Sequence, residues 1–287
     1  MNFRIITLVS ALALTRVTAR QKDRCLQFLE DTRPNRTITL LGYPATNATG
    51  GLYDRYFIFR GLIFLARSTR SRFYFPPPCA TLSNNHNYNK STSCDLKWSD
   101  FLDVSRFADV LLASQPSTPD LTIHNYFRQC YRFTTRPIAV DLPLAPSITL
   151  EAKYFVKKRL SSHFIYVHLR LGEDTGTCDQ SFPAITKRFS DLKSKLKMSG
   201  QHIAISSNHN LPEDFLHSVA KVTKAKVVWL DSILYQFRDT KFSGSNYMMF
   251  NLDIAIMRRA MYKITWQRSY HCGDVECIAA CRNTTWR

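Results

Sequence analysis

Phe164-Ile165-Tyr166-Val167-His168-Leu169, running into Arg170-Leu171-Gly172-Glu173-Asp174, is the stretch from which the fold is read. Its first six residues are rich in aromatic and β-branched side chains, and a polar loop from Arg170 to Gln180 follows, so the run reads as a buried strand. Working outward, Phe182 to Met198 places Ile185, Phe189, Leu192 and Leu196 at helical spacing. His202 to Ser206 reads as a second strand. Pro212, Glu213 and Asp214 then mark a helix start, with Phe215, Val219 and Val222 as the apolar face. Val227 to Leu230 and Tyr262 to Trp266 read as further strands, with a helix from Met248 to Arg259 between them. Strands alternating with helices predict a parallel α/β sheet, whose ligands lie beyond the carboxyl ends of its strands.

The first half is a weaker copy of this pattern. Ile38 to Leu41 and Arg72 to Phe75 are strand candidates, and Tyr56 to Arg67 reads as an apolar helix. Phe107 to Ala113, Ile123 to Phe133 and Pro137 to Leu142 are elements of open type. Asp141 to Ile148, with two prolines, reads as the linker. The expected organisation is a signal peptide over residues 1–19, an N-terminal Rossmann-like domain over 20–142 and a C-terminal one over 149–287. A chain of 287 residues that is 45% hydrophobic has enough apolar material for two such cores.

Compartment is read from three signals. Arg4, the apolar run Ile5 to Leu14 and the small-residue site Val17-Thr18-Ala19 form a signal peptide. The run is shorter than the roughly 20 apolar residues of a membrane span, so no stable membrane insertion is expected. Eight cysteines read as disulfides with open pairings rather than as zinc ligands, because no C-x-x-C spacing occurs. Asn35, Asn47, Asn89 and Asn283 each begin an Asn-x-Ser/Thr sequon. The secretory pathway follows, as the endoplasmic reticulum or Golgi lumen, with secretion open. There the net charge of +17 does not imply nucleic acid. Its densest group, Lys153 to Arg159, reads as the wet face of an amphipathic helix.

Chemistry is sought at two places. Gly50-Gly51 is an adjacent pair in a chain of only nine glycines. Ahead of a helix it lets backbone amides approach a phosphate, or makes a plain tight turn. His168 and Arg170 share a strand face at the sheet's carboxyl edge. An arginine there grips a diphosphate bidentately and neutralises a departing one. The same spacing equally allows an arginine paired with Glu173 or Asp174 beside a satisfied core histidine. No Gly-x-Ser-x-Gly elbow or zinc signature favours a hydrolase.

Tyr166 to Asp174 resembles the His-hydrophobic-Arg motif of the protein O-fucosyltransferases. Gly50 to Arg55, the helix after it and Phe73-Tyr74-Phe75-Pro76-Pro77-Pro78 are similar to that family's N-terminal glycine loop, helix and strand-Pro-Pro block. Leu252 to Ile256 resembles its Asp-hydrophobic-Ala-hydrophobic helix, and Arg268-Ser269-Tyr270 stands where its Ser-Ser-Phe turn falls. The resemblance covers most of residues 38–272. It implies a GT-B fold of two facing Rossmann-like domains. It implies inverting transfer of fucose from GDP-fucose to a Ser or Thr hydroxyl of a protein acceptor, such as a small cysteine-rich domain, with no metal and no cofactor beyond the donor. It implies that Arg170 holds the phosphates, His168 lines the GDP site, Asp253 meets the guanine, Ser269 and Tyr270 lie near the nucleotide, and Gly50 and Gly51 approach the fucose. The family often carries Asn or Glu by the glycine loop. This chain has Thr49, Tyr53 and Asp54, which makes Asp54 the candidate base. It also leaves two alternatives: a silent glycan- or protein-binding module, or a transferase using another nucleotide sugar.

Overall fold

The computed structural model describes residues 23–41, 52–78, 96–130, 140–171, 179–230, 246–265 and 277–279. The chain divides into two compact units, Met1–Ala145 and Pro146–Arg287. The signal-peptide reading over residues 1–19 lies outside the described residues.

The first unit holds a three-stranded parallel sheet of β1 (Thr37–Leu40), β2 (Arg72–Tyr74) and β3 (Leu121–Ile123) in the order β2-β1-β3. Ile38 pairs with Phe73 on one side and with Leu121 on the other. Ile38, Leu40, Phe73 and Ile123 have no exposed surface. Helix α1 (Arg24–Glu30) precedes the sheet and is capped by Asp23, whose carboxylate accepts from the Leu26 amide. Arg36 pins this helix to β1. Its guanidinium donates to the Phe28 and Asp31 carbonyls at 2.7 Å and stacks 3.6 Å from the Phe28 ring centroid. A disulfide from Cys25 to Cys130 ties α1 to the end of the short helix α4 (Tyr126–Gln129).

Helix α2 (Leu52–Ser68) is four residues longer at its start than the apolar pattern predicts. It is buried along much of its length, including Leu52, Ile58, Phe59, Leu62 and Ile63, which is why its sequence lacks a clean polar stripe. Phe59 is the hub of an aromatic cluster with Phe73, Phe75, Trp98 and Phe107. Trp98 opens the short α3 (Trp98–Phe101), and its indole donates to the Pro76 carbonyl at 2.6 Å.

The second unit holds five parallel strands in the order β6-β5-β4-β7-β8. They are β4 (Phe164–Leu169), β5 (His202–Ser207), β6 (Lys226–Trp229), β7 (Tyr262–Thr265) and β8 (Cys277–Ala279). β4 lies at the centre, and five of its six residues are buried. A strand covered on both faces loses the alternation of a half-wet one. On one face, Ile165, Val167, Leu169, Ile203, Ile205 and Ile264 form a core with helices α6 (Phe182–Lys193) and α7 (Glu213–Thr223). Helix α8 (Asn246–Met257) bonds to side chains of the opposite face and packs against α5 (Pro146–Arg159).

Two readings change here. Pro146 does not sit in an extended linker but begins α5, because its fixed φ and missing N–H suit the first turn of a helix. The fifth strand, β8, was not predicted at all. In α5 the buried residues are Ile148, Ala152 and Phe155, while Lys153, Lys157, Lys158 and Arg159 are exposed, so the densest basic group is a wet helix face.

Candidate functional site

The carboxyl edge of the second sheet is built by register. His168 on β4 lies opposite Ser206 on β5 and opposite Thr265 on β7. In-register neighbours of a parallel sheet point to the same face, so these three side chains form a polar row at the carboxyl ends of the strands, one residue before the end of β4 and β5 and at the last residue of β7. Ser206 and Thr265 are buried, and His168 is half-buried. Arg170 follows β4 directly and is exposed to solvent. Two residues earlier on the same face, Tyr166 is fully buried.

Asp253 of α8 connects to this row. Its Oδ2 accepts from the Tyr166 hydroxyl and from the Ser206 hydroxyl, both at 2.8 Å. The carboxylate is thereby held against the sheet by two hydrogen bonds from hydroxyl donors.

Electrostatics separate the two basic residues. Burial, and then the Arg170 charge, hold the His168 imidazole down at a pKa of about 4. At neutral pH the ring is uncharged and offers one donor and one acceptor, and Arg170 is the cation of the pair. The arrangement therefore presents a solvated guanidinium beside a neutral imidazole at a sheet's carboxyl edge, which suits an oxyanion or diphosphate.

The backbone leaving the strand is also held. Asn208, just beyond β5, accepts from the Leu171 amide at 2.7 Å and donates to the Leu171 carbonyl at 2.8 Å.

His168, Arg170 and Asp253 thus belong to one edge of one sheet, with Ser206 as the residue that joins His168 to Asp253. Asp54 lies in the first turn of α2 in the other unit and is half-buried. Asn35 is exposed and holds a left-handed φ of 55°. Gly50, Gly51, Ser269, Tyr270, Asn47, Asn89 and Asn283 lie outside the described residues. Among the described residues, no group of His, Cys, Asp or Glu could hold a metal ion, and no helix is long and apolar enough to cross a membrane. Sequence reasoning missed Tyr166, Ser206 and Asn208. The signal for the first was its place two residues before His168. The signal for the others was the polar run Ser206-Ser207-Asn208 that closes an apolar strand.

A crystal structure of POFUT1 in complex with GDP-fucose aligns with 85% of this chain and 94% of its own, at a TM-score of 0.53 and 12% identity. The fold is that of the GT-B fucosyltransferases. A POFUT1 complex with GDP aligns similarly, over 84% of this chain and 93% of its own, at a TM-score of 0.51 and 11% identity. The NodZ alpha-1,6-fucosyltransferase soaked with GDP-fucose aligns at a TM-score of 0.47 and 12% identity over 83% of this chain and 90% of its own, too loosely to add weight. No family model and no curated protein matches the sequence. The GT-B likeness agrees with the two parallel α/β units described above, and at such low identity it speaks for the fold alone.

Proposed function

We propose that this chain is a glycosyltransferase that binds GDP-fucose and transfers fucose to a Ser or Thr hydroxyl of a protein acceptor, inverting the anomeric centre. The observation that carries the reading is the exposed Arg170 beside a neutral His168 at the carboxyl edge of β4, in a fold shared with a protein crystallised with GDP-fucose.

In the proposed reaction the acceptor oxygen attacks C1 of fucose as the bond from C1 to the β-phosphate oxygen breaks. GDP leaves with the electron pair, and the hydroxyl proton passes to a base. Negative charge grows on the β-phosphate, and the Arg170 guanidinium meets it with two parallel donors. That neutralisation is what a divalent ion would otherwise supply, so the proposed transfer needs no metal. His168 lines the nucleotide site as a neutral hydrogen-bonding group. Asp253 is assigned to the guanine, Ser269 and Tyr270 to the nucleotide's surroundings, and Gly50 and Gly51 to the approach of the fucose. Asp54 is the proposed base. The Cys25–Cys130 disulfide supports an oxidising compartment, and the secretory lumen is proposed on that ground together with the sequons.

The test is calorimetry with GDP. The unaltered protein is expected to bind with a dissociation constant in the range of about tens of micromolar or tighter, and Arg170→Ala to weaken it by about 100-fold, the loss of a charge-assisted bidentate contact of roughly 3 kcal/mol. Absence of GDP binding by the unaltered protein removes the donor assignment. The lack of the family's Asn or Glu beside Gly50 and Gly51 favours a second reading, a silent module that keeps nucleotide binding without turnover. Incubation with labelled GDP-fucose and folded cysteine-rich acceptor domains separates the two, since robust transfer excludes the silent module.

A further inference from the structure

We infer that Asn208 is a positioning residue for the diphosphate-binding arginine, acting by extending the β4–β5 ladder with its side chain. Backbone pairing between these strands ends at Leu169 and Ser207. One residue further on, the Asn208 carboxamide takes the place of a peptide group. Its oxygen accepts from the Leu171 amide at 2.7 Å and its nitrogen donates to the Leu171 carbonyl at 2.8 Å. Both bonds are partly shielded from water, and Leu171 itself is buried. A side-chain amide matches a peptide in donor and acceptor geometry, so this pair copies one rung of a sheet.

The consequence falls on Arg170. It is exposed and lies between the last ladder residue, Leu169, and the clamped Leu171. With both neighbours fixed, the Arg170 backbone cannot swing, and its side chain leaves from a set point. A long, flexible side chain loses less freedom on gripping a ligand when its root is already held. Arg170 itself binds nothing of the clamp, so Asn208 acts on the ligand only through it.

This inference rests on the proposal that Arg170 holds the diphosphate. The test is a double-mutant cycle on GDP affinity with Arg170→Ala and Asn208→Ala, together with amide hydrogen exchange at Leu171 without ligand. Asn208→Ala is expected to weaken GDP binding about tenfold in the native background and to have no further effect once Arg170 is Ala. The Leu171 amide is expected to exchange at least tenfold faster. Asn208→Gln keeps an uncharged amide but moves it by one methylene, and it is expected to give the same pattern with a smaller loss. It also serves if the Ala variant fails to fold. Equal losses in both backgrounds, or unchanged affinity in both, overturn the positioning role. GDP binding that Arg170→Ala lowers and Asn208→Ala leaves intact overturns this inference alone. No GDP binding by the unaltered protein overturns the donor assignment and this inference together, although faster Leu171 exchange would still demonstrate the clamp.

Discussion

At the residue scale, His168 carries a consequence for stability as well as for the site. The folded chain keeps its imidazole neutral down to a pKa of about 4, whereas an unfolded histidine titrates near 6.5. Above pH 6.5 neither state is protonated and His168 contributes nothing to the pH dependence. As pH falls from 6.5 towards 4, the unfolded chain takes up the proton first, so stability is lost across that window. The shift corresponds to about 3 kcal/mol at most, and the ring's partial exposure reduces this to about 2 kcal/mol. Denaturant unfolding at pH 7 and pH 4.5 is expected to show that loss in the native chain and its near-disappearance in His168→Gln. An unchanged pH slope in the variant would place the acid sensitivity elsewhere. The placing of His168 on β4 and of Arg170 directly after its end was legible in the sequence. The difference between them was not, because burial depends on what covers the strand, and a sequence does not show that Tyr166, Ser206 and Asp253 lie bonded together.

At the element scale, α2 shows how one small residue decides packing. Gly61 lies under the Tyr126 ring, and a Cβ built there would come within 1.7 Å of the phenolic oxygen and 2.7 Å of the carbon bearing it. Alanine favours a helix over glycine by about 1 kcal/mol, but overlap of this depth forces Tyr126 or α2 to move, at a cost of about 1–3 kcal/mol or more. Overlap wins. Gly61→Ala is expected to destabilise the chain by about 2 kcal/mol, and shrinking Tyr126 to Leu in the same chain is expected to make the combined loss less than additive. A melting temperature at or above that of the native protein in Gly61→Ala would show that the ring is not fixed as described. Element legibility follows burial in the same physical sense. β4 announced itself because burial on both faces made it a continuous run of strand-forming residues. β8 did not, since Cys277-Ile278-Ala279 is a three-residue strand at a sheet edge, and its cysteine drew attention to disulfide and metal chemistry instead. β3 was blurred into the longer reading of Ile123 to Phe133, because three residues give no measurable period.

At the scale of the whole molecule, a chain of two parallel α/β units shares its fold with a POFUT1 crystal structure at about one identical residue in eight. Such divergence is tolerable because a fold needs its buried positions to be apolar and of the right volume, not of fixed identity. The nucleotide chemistry is more demanding, since it needs particular donors at particular strand ends. For this reason the alternation of strands and helices was legible across the second unit, while most of the first was not. There the sheet is short, and much of the core comes from one helix and an aromatic cluster around Phe59. The candidate site was legible where a motif sits on a strand end, at His168 and Arg170. It was not legible where a long-range pairing creates it, at Asn208.

A crystal structure of the protein grown with GDP tests most directly whether Arg170 meets a nucleotide's diphosphate. The predicted result is GDP at the carboxyl edge of β4, with its phosphate oxygens in hydrogen-bond reach of the Arg170 guanidinium. GDP bound elsewhere, with Arg170 turned to solvent or paired only with a carboxylate of its own chain, would contradict it.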